Sequence, residues 1–357
     1  MKAKKLLALL LLGLLILSAC GETPAAAPVE GRVITDALGR EVAIPETVES
    51  VVCVGVGALR YTCYMGGQDR VIGVEDYEKE ATVDRLYNLV NFERFSALPA
   101  IGGNGEPWHE EIINAAPQVI VLSEIAGLDA DDLENKTGIP VVTVAGSDSL
   151  LDGKAYDTIA LLGELYGLAD RAGELTQYLR DMEAELLERG SKGEKHSAYV
   201  GGVAFKGYHG IEWTEAGYGP LALIGAENPA DGLGQSGSFE LDKEQLLAWD
   251  PDVIFVDYTG LPLVREDYAA KPEFYESLTA VREGRVYSQI PFRSFAVNLD
   301  TALADAWYAG CVLCPEGFSD IDPETKAREI FTMLLGSDPY DKLKEAGYGF
   351  TTLSLAG

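Results

Sequence analysis

Short unbroken apolar runs alternate along this chain with longer stretches whose apolar residues recur every three or four positions. Val51-Val52-Cys53-Val54 is the first such run; it ends at Gly55 and Gly57, and a helical pattern follows from Ala58 to Met65. Residues 70–74, 119–122 and 141–144 read as further strands. Short buried strands alternating with helices predict parallel α/β sheets. The second half repeats the plan: Ala198-Tyr199-Val200 runs into Gly201-Gly202, and residues 253–256 form another buried strand. One internal echo is specific. Residues 112–121 line up with 246–255, each pairing a helix end with a proline that stops it (Pro117, Pro251) and then a strand. Two matching units predict two lobes of one design.

Between the halves, Ile159, Leu162, Leu165, Leu168, Leu175, Leu179, Met182 and Leu186 keep a helical period, and residues 156–189 hold no proline. Gly163, Gly167 and Gly173 weaken the stretch by about 1 kcal/mol each relative to Ala. It reads as one long helix, or two in line, forming a stiff connector. The predicted organisation is a lobe over 31–151, a bridging helix over 152–192, a second lobe over 193–340 and a tail over 341–357.

The first residues carry a different pattern. Lys2, Lys4 and Lys5 precede an apolar run from Leu6 to Leu17, broken only by Gly13. A basic start, a short apolar core and small residues at its end make residues 1–19 a secretory signal peptide. The run is shorter than the roughly 20 residues of a membrane span. Leu17-Ser18-Ala19-Cys20 resembles the lipobox of bacterial lipoproteins, which implies that Cys20 becomes the lipidated first residue; the plain alternative is an ordinary signal peptide with a chance cysteine. Residues 20–30, rich in Ala and Pro, read as a tether. Two acyl chains on Cys20 would anchor the body stably at the outer face of the cell membrane.

Composition narrows the function. With 357 residues, about two domains are expected. Hydrophobic residues make up 47% and charged residues 24%, an ordinary globular balance that excludes a disordered, collagen-like or polytopic membrane chain. A formal charge of −29 repels phosphate backbones and argues against nucleic-acid partners. An export route permits disulfides, yet Cys53 sits in a strand-like run as a small core residue. Cys311 and Cys314 form a lone CxxC with no second pair, a weak metal signal read as structural with a disulfide left open. Among the three His, no nucleophile elbow, HExxH helix or P-loop occurs, and Gly55-Val56-Gly57 lacks the third glycine of a dinucleotide loop because Arg60 stands there. These absences favour a binder over an enzyme.

Residues 33–45, with Thr35-Asp36-Ala37-Leu38-Gly39-Arg40 and Ile44-Pro45, resemble the opening strand pair of the iron-siderophore and vitamin B12 type substrate-binding proteins of ABC importers. Arg70-Val71-Ile72-Gly73-Val74, Ala116-Pro117-Gln118-Val119-Ile120, Asp250-Pro251-Asp252-Val253-Ile254-Phe255, the connector and residues 308–318 match further stations, covering roughly residues 31–340. The resemblance implies two Rossmann-like lobes with parallel sheets, a rigid bridging helix and a ligand cleft between the lobes. It also implies a monomer without intrinsic cofactor, partnered by a permease with a cytoplasmic ATPase.

A cleft of this kind lies at the carboxyl ends of the strands. Four segments fall there. Around Gly55 and Gly57, Arg60 is a candidate clamp for a carboxylate or phosphate, or else a solvated helix residue. In Gly102-Gly103-Asn104-Gly105-Glu106-Pro107-Trp108, Trp108 is a candidate aromatic wall, or a plug at a core edge. In residues 206–215, Tyr208, His209 and Trp213 could line a chelate, or His209 with a Glu could ligate a metal directly. In residues 290–298, Arg293 and Asn298 stand beside Phe292 and Phe295; the resemblance leads one to expect a neutral residue at 293, so Arg293 raises the case for an anionic ligand or chelate. Tyr258 joins this wall.

For docking to the permease, the resemblance points to one surface acid on each lobe: Glu110, seven residues before Pro117, and Glu240 or Glu227. The leading ligand is an iron(III) chelate of siderophore type. A corrinoid, haem, a free divalent metal, and an enzyme or non-transport surface protein on this scaffold are the alternatives. A stiff connector implies only modest lobe closure.

Overall fold

The computed structural model describes residues 31–146, 150–194, 196–204 and 206–356. The signal segment, Cys20 and the tether lie outside them. Strands β1 (Gly31–Thr35) and β2 (Glu41–Pro45) form an antiparallel hairpin that buries Ile34, Val42 and Ile44. Its turn is held by Asp36, whose Oδ1 accepts from the backbone N–H of Leu38 and Arg40 while Oδ2 accepts from Thr143. This explains the Thr-Asp-Ala-Leu-Gly-Arg run: the aspartate both makes the turn and docks the hairpin on the first sheet.

That sheet is parallel, in the order β4-β3-β7-β8, from β3 (Val51–Val54), β4 (Val71–Gly73), β7 (Val119–Ser123) and β8 (Val141–Val144). A two-residue ribbon, β5 (Gly102–Gly103) with β6 (Glu106–Pro107), stands beside it. Helices α1 (Ala58–Tyr64), α2 (Leu86–Ala97) and α3 (His109–Ala115) complete much of the first lobe. The second lobe has a parallel sheet in the order β13-β12-β9, from β9 (Ala198–Gly201), β12 (Val253–Asp257) and β13 (Val286–Gln289), with an antiparallel ribbon of β10 (Trp213–Ala216) and β11 (Gly237–Glu240). The unbroken apolar runs are the fully buried central strands β3, β7 and β12, as parallel sheets covered on both faces require.

The connector corrects the expectation of one helix or two in line. It is two helices, α4 (Gly153–Tyr166) and α5 (Ala169–Gly190), separated at Gly167, whose φ of 67° ends α4 in a left-handed cap. The Arg180 guanidinium lies 5.2 Å from the Tyr156 ring centre, so the start of α4 sits beside the second half of α5. The chain therefore folds back at Gly167, and α5 alone makes the crossing. Its Leu175, Leu179, Met182 and Leu186 are buried in one core cluster shared by the first lobe, α5, α7 (Leu299–Leu313) and α8 (Pro323–Leu335). Arg171 near the start of α5 donates to the carbonyls of Tyr64 in α1 and Met333 in α8. The last residues return to the second sheet, where Leu353 N–H bonds the Val286 carbonyl and Leu353 and Leu355 are buried.

The internal echo survives at the level of backbone angles. Helix α3 ends at Ala116 (φ 54°, ψ 52°) and helix α6 (Lys243–Trp249) ends at Asp250 (φ 40°, ψ 62°), each followed by proline and a central strand. Left-handed geometry at a non-glycine residue costs roughly 1 kcal/mol, and both lobes carry it at the same station. Cys53, Cys63 and Cys311 are free thiols; burial pushes the Cys53 and Cys311 thiols up to about 12, so these two are inert packing residues.

Candidate functional site

A cleft of about 770 Å³ opens between the lobes at the carboxyl ends of the strands, within the size range of small-molecule sites. The second lobe contributes Asp257 from the end of β12, Thr259, Lys206, Tyr208 and residues 293–296; the first lobe contributes the loop 80–85 and Asn104. Each wall is held from behind. Buried Glu78 accepts hydrogen bonds from the Tyr87 hydroxyl (2.5 Å) and the Asn88 amide (3.0 Å) and faces Arg85 at 3.5 Å. This pins the turn before α2 and fixes Asp84 and Arg85 at the cleft. Glu75 accepts from the N–H of Gly55 and of Gly105, tying two glycine turns to one carboxylate. On the other wall, Gly260 has no room for a side chain: a Cβ would lie 2.4 Å from the Gly202 carbonyl. That close approach places Thr259, whose N–H and hydroxyl both donate to Asp257 Oδ1 at 2.8 and 2.6 Å.

The two walls meet at a strained latch. Phe295 and Ala296 are consecutive left-handed residues, with φ of 52° and 67°. Each costs roughly 1–2 kcal/mol, so other contacts must hold them. Arg60 does so from across the lobes: its two terminal nitrogens donate to the carbonyls of Ser294 (2.9 Å), Phe295 (2.6 Å) and Val297 (2.8 Å). Asn298 adds bonds to the carbonyls of Phe292 and Ser294, both at 3.1 Å. The Phe295 ring stacks flat on Tyr77 of the first lobe at 4.5 Å, under the Arg85 guanidinium at 4.8 Å.

This geometry sorts the residues singled out from the sequence. Tyr208, 69% exposed, and Arg293 both line the cleft. Arg60 is corrected: at 1% exposure, with both terminal nitrogens on carbonyls, it is a tether between the lobes rather than a clamp open to a ligand. Asn298 is corrected in the same way, because it is fully buried and holds the latch. His209 stacks on Trp213 at 3.8 Å, beside the cleft but off its lining. Glu212 faces Lys243 at 3.5 Å and Glu215 pairs with Arg293, so neither carboxylate of that segment turns to His209 as a metal ligand. Among the described residues, no group of three or more His, Cys, Asp and Glu could hold a metal ion. Tyr258 donates to the Gly349 carbonyl (2.5 Å) and packs on Tyr348, under the C-terminal segment and away from the cleft lining. Trp108, 45% exposed, is on a separate surface with His109, Glu110 and Glu111.

The sequence reading passed over Asp84, Arg85 and Asp257. Asp257 carried a signal: it is the first charged residue after a buried run, hence at the carboxyl end of a central strand. Burial, reinforced by Asp84 and Glu215, pushes its carboxyl up to about 7. Asp84 is raised by burial as well, against the pull of Arg85. Glu215 is raised by burial, opposed by Arg293. Glu110 lies exposed in the first turn of α3; the echo puts Glu244, exposed in the first turn of α6, at the same station, whereas Glu240 ends strand β11 and Glu227 is on a loop.

Comparison with known proteins agrees with this architecture. Residues 56–290 match the family model described as periplasmic binding protein. No curated protein sequence matches the chain. Among solved structures, a periplasmic solute binding protein from Veillonella parvula superposes with a TM-score of 0.69 at 18% identity, covering 87% of this chain and 95% of that one. The molybdate binding protein of a Haemophilus influenzae ABC transporter gives 0.65 at 16%, covering 86% and 98%. A structure described as an ABC-type Fe3+-hydroxamate transport system from Saccharomonospora viridis gives 0.51 at 20%, covering 84% and 98%. At these identities the likeness is one of fold.

Proposed function

Because this chain belongs to the periplasmic binding protein family, we propose that it captures an iron(III) chelate of siderophore type in the interlobe cleft and hands it to an ABC permease. The observation that carries the reading is the cleft itself. At about 770 Å³ it is far larger than a bare ion needs, and its walls combine Tyr208 and Phe295 with Arg85, Lys206 and Arg293. An aromatic wall with a few fixed charges suits a rigid, polar, metal-bearing complex. The Fe3+-hydroxamate neighbour lends support by its description, and the molybdate neighbour shows that ligands differ widely on this fold.

In this reading Cys20 carries the lipid anchor that keeps the protein at the extracytoplasmic face of the cell membrane. The permease reads one acid on each lobe, Glu110 and its symmetry mate Glu244. No helix among the described residues is long and apolar enough to cross a membrane. Titration calorimetry of the purified protein tests the ligand class, using a ferric tris-hydroxamate, a ferric tris-catecholate, haem, cobalamin, nickel(II) and molybdate. Saturable binding of a ferric chelate, weakened about tenfold or more in Arg293→Ala, supports the reading. Binding of only cobalamin, haem or an inorganic ion overturns it.

A further inference from the structure

The charges around the cleft are unequally engaged. Arg85 faces Glu78, donates to the carbonyls of Tyr77 and Glu80, and lies over two aromatic rings. Arg293 is paired with Glu215. Two carboxylates on the same lining are less occupied. Asp257 is 4% exposed; Thr259 fills its Oδ1, and no hydrogen bond reaches its other oxygen among the described residues. Asp84 comes from the other lobe, and its Oδ1 is buried without a hydrogen-bond partner. A carboxylate only accepts hydrogen bonds, and a buried acceptor left empty costs about 1–3 kcal/mol. Both groups line the same cleft, and the Tyr348 phenol is close enough to feel both charges together with the Tyr208 phenol.

We propose that Asp84 and Asp257 form a subsite for a positively charged group of the ligand, a protonated amine or another cationic substituent, gripped between the two lobes. The proposal rests on the reading of this cleft as the solute site and narrows it to chelates that carry a positive charge. An ammonium supplies donors for the carboxylate oxygens that have none, and Tyr208 on the cleft lining offers an aromatic ring to a cation. When both are ionised, the two acids repel each other across the lobe boundary. A cation between them reverses that term, so the same contact that selects the ligand draws the walls together.

The test compares two ferric tris-hydroxamates by calorimetry, a linear one with a pendant ammonium and a neutral macrocyclic one with the same iron donors. Wild type, Asp84→Asn and Asp257→Asn are measured; Asn keeps the Oδ1 acceptor for Thr259, and melting curves confirm folding. Wild type should favour the cationic chelate by about tenfold, and either substitution should remove most of that preference. No preference in wild type, or an equal preference in both variants, overturns the subsite while leaving chelate capture intact. If neither chelate binds, the chelate reading fails on its own, and hexaamminecobalt(III) decides the subsite. Saturable binding of that cation lost in the double variant supports it, and equal binding in the double variant overturns it.

Discussion

The two lobes share a plan and divide the work. Each has a parallel sheet, and each carries a short helix ending in a left-handed non-glycine residue, a proline and a central strand. Their cleft sides differ. The first lobe's wall is locked from behind by buried Glu75 and Glu78, so Asp84 and Arg85 are presented on a fixed turn. The second lobe's wall is a strained loop held chiefly by Arg60 reaching across from the first lobe, with Asn298 adding two bonds from its own side. One wall is thus preorganised by its own network and the other by its neighbour. The lobes are fastened together through Arg60, the Tyr77–Phe295 stack and the Tyr64 hydroxyl on Asp300 (3.1 Å).

The most damaging way to break this arrangement is to remove the tether. Arg60→Met strands three carbonyls and frees the left-handed pair; it should lower stability by about 3–5 kcal/mol in urea unfolding. An unchanged midpoint would mean that the second wall supports itself.

Asp257 gives the next largest effect, and it depends on pH. Its carboxyl titrates at about 7 in the fold but near 4 in the unfolded chain. Between those values the folded state holds more protons, so wild-type stability falls as pH rises from about 4 to 7. The carboxyls of Asp84, Glu215 and Asp305 and the phenols of Tyr218 and Tyr348 face this group. Asp257→Asn should therefore be more stable than wild type by roughly 2–4 kcal/mol at pH 8, with the gain gone by pH 4. Melting curves across that range that run parallel would show that the carboxyl titrates normally.

A smaller effect sharpens the comparison at the echo. Asp250 offsets its left-handed strain by accepting from the Thr279 N–H and hydroxyl, both at 2.7 Å, whereas Ala116 has no side-chain bond to set against its own. Ala116→Gly should stabilise by about 0.5–1 kcal/mol, and Asp250→Gly should not. Equal responses at the two sites would deny the asymmetry. The smallest change to the binding protein itself comes from the surface acids. Glu110→Ala and Glu244→Ala should each leave chelate affinity within about twofold and stability within about 0.5 kcal/mol, while uptake by cells falls. Loss of chelate binding in either variant would refute the docking assignment.

These contrasts also show what could be read from residues alone. The strands were legible because buried parallel strands are unbroken apolar runs, and 51–54, 119–122 and 253–256 are such runs. The echo was legible because proline marks a helix end. The fold-back at Gly167 was not, since periodicity records the face of a helix and is silent on its direction after a break. The roles of Arg60 and Asn298 were hidden for a related reason: a cationic or amide residue near a glycine turn looks the same whether it faces a ligand or a carbonyl 235 residues away. The place of Tyr208 and Arg293 on the cleft lining was legible because they sit in loops just beyond strand ends. Asp257 was missed although its position, closing a buried run, marked it.

The central claim is that the solute lies between the lobes against Asp84, Asp257 and Tyr208. Crystals grown with the ammonium-bearing ferric tris-hydroxamate, measured at the iron absorption edge, test it directly. The account predicts one anomalous iron peak inside the cleft, with the ammonium arm running toward the two carboxylates. An iron peak elsewhere on the molecule, or an ordered chelate whose ammonium turns away from Asp84 and Asp257, would contradict it.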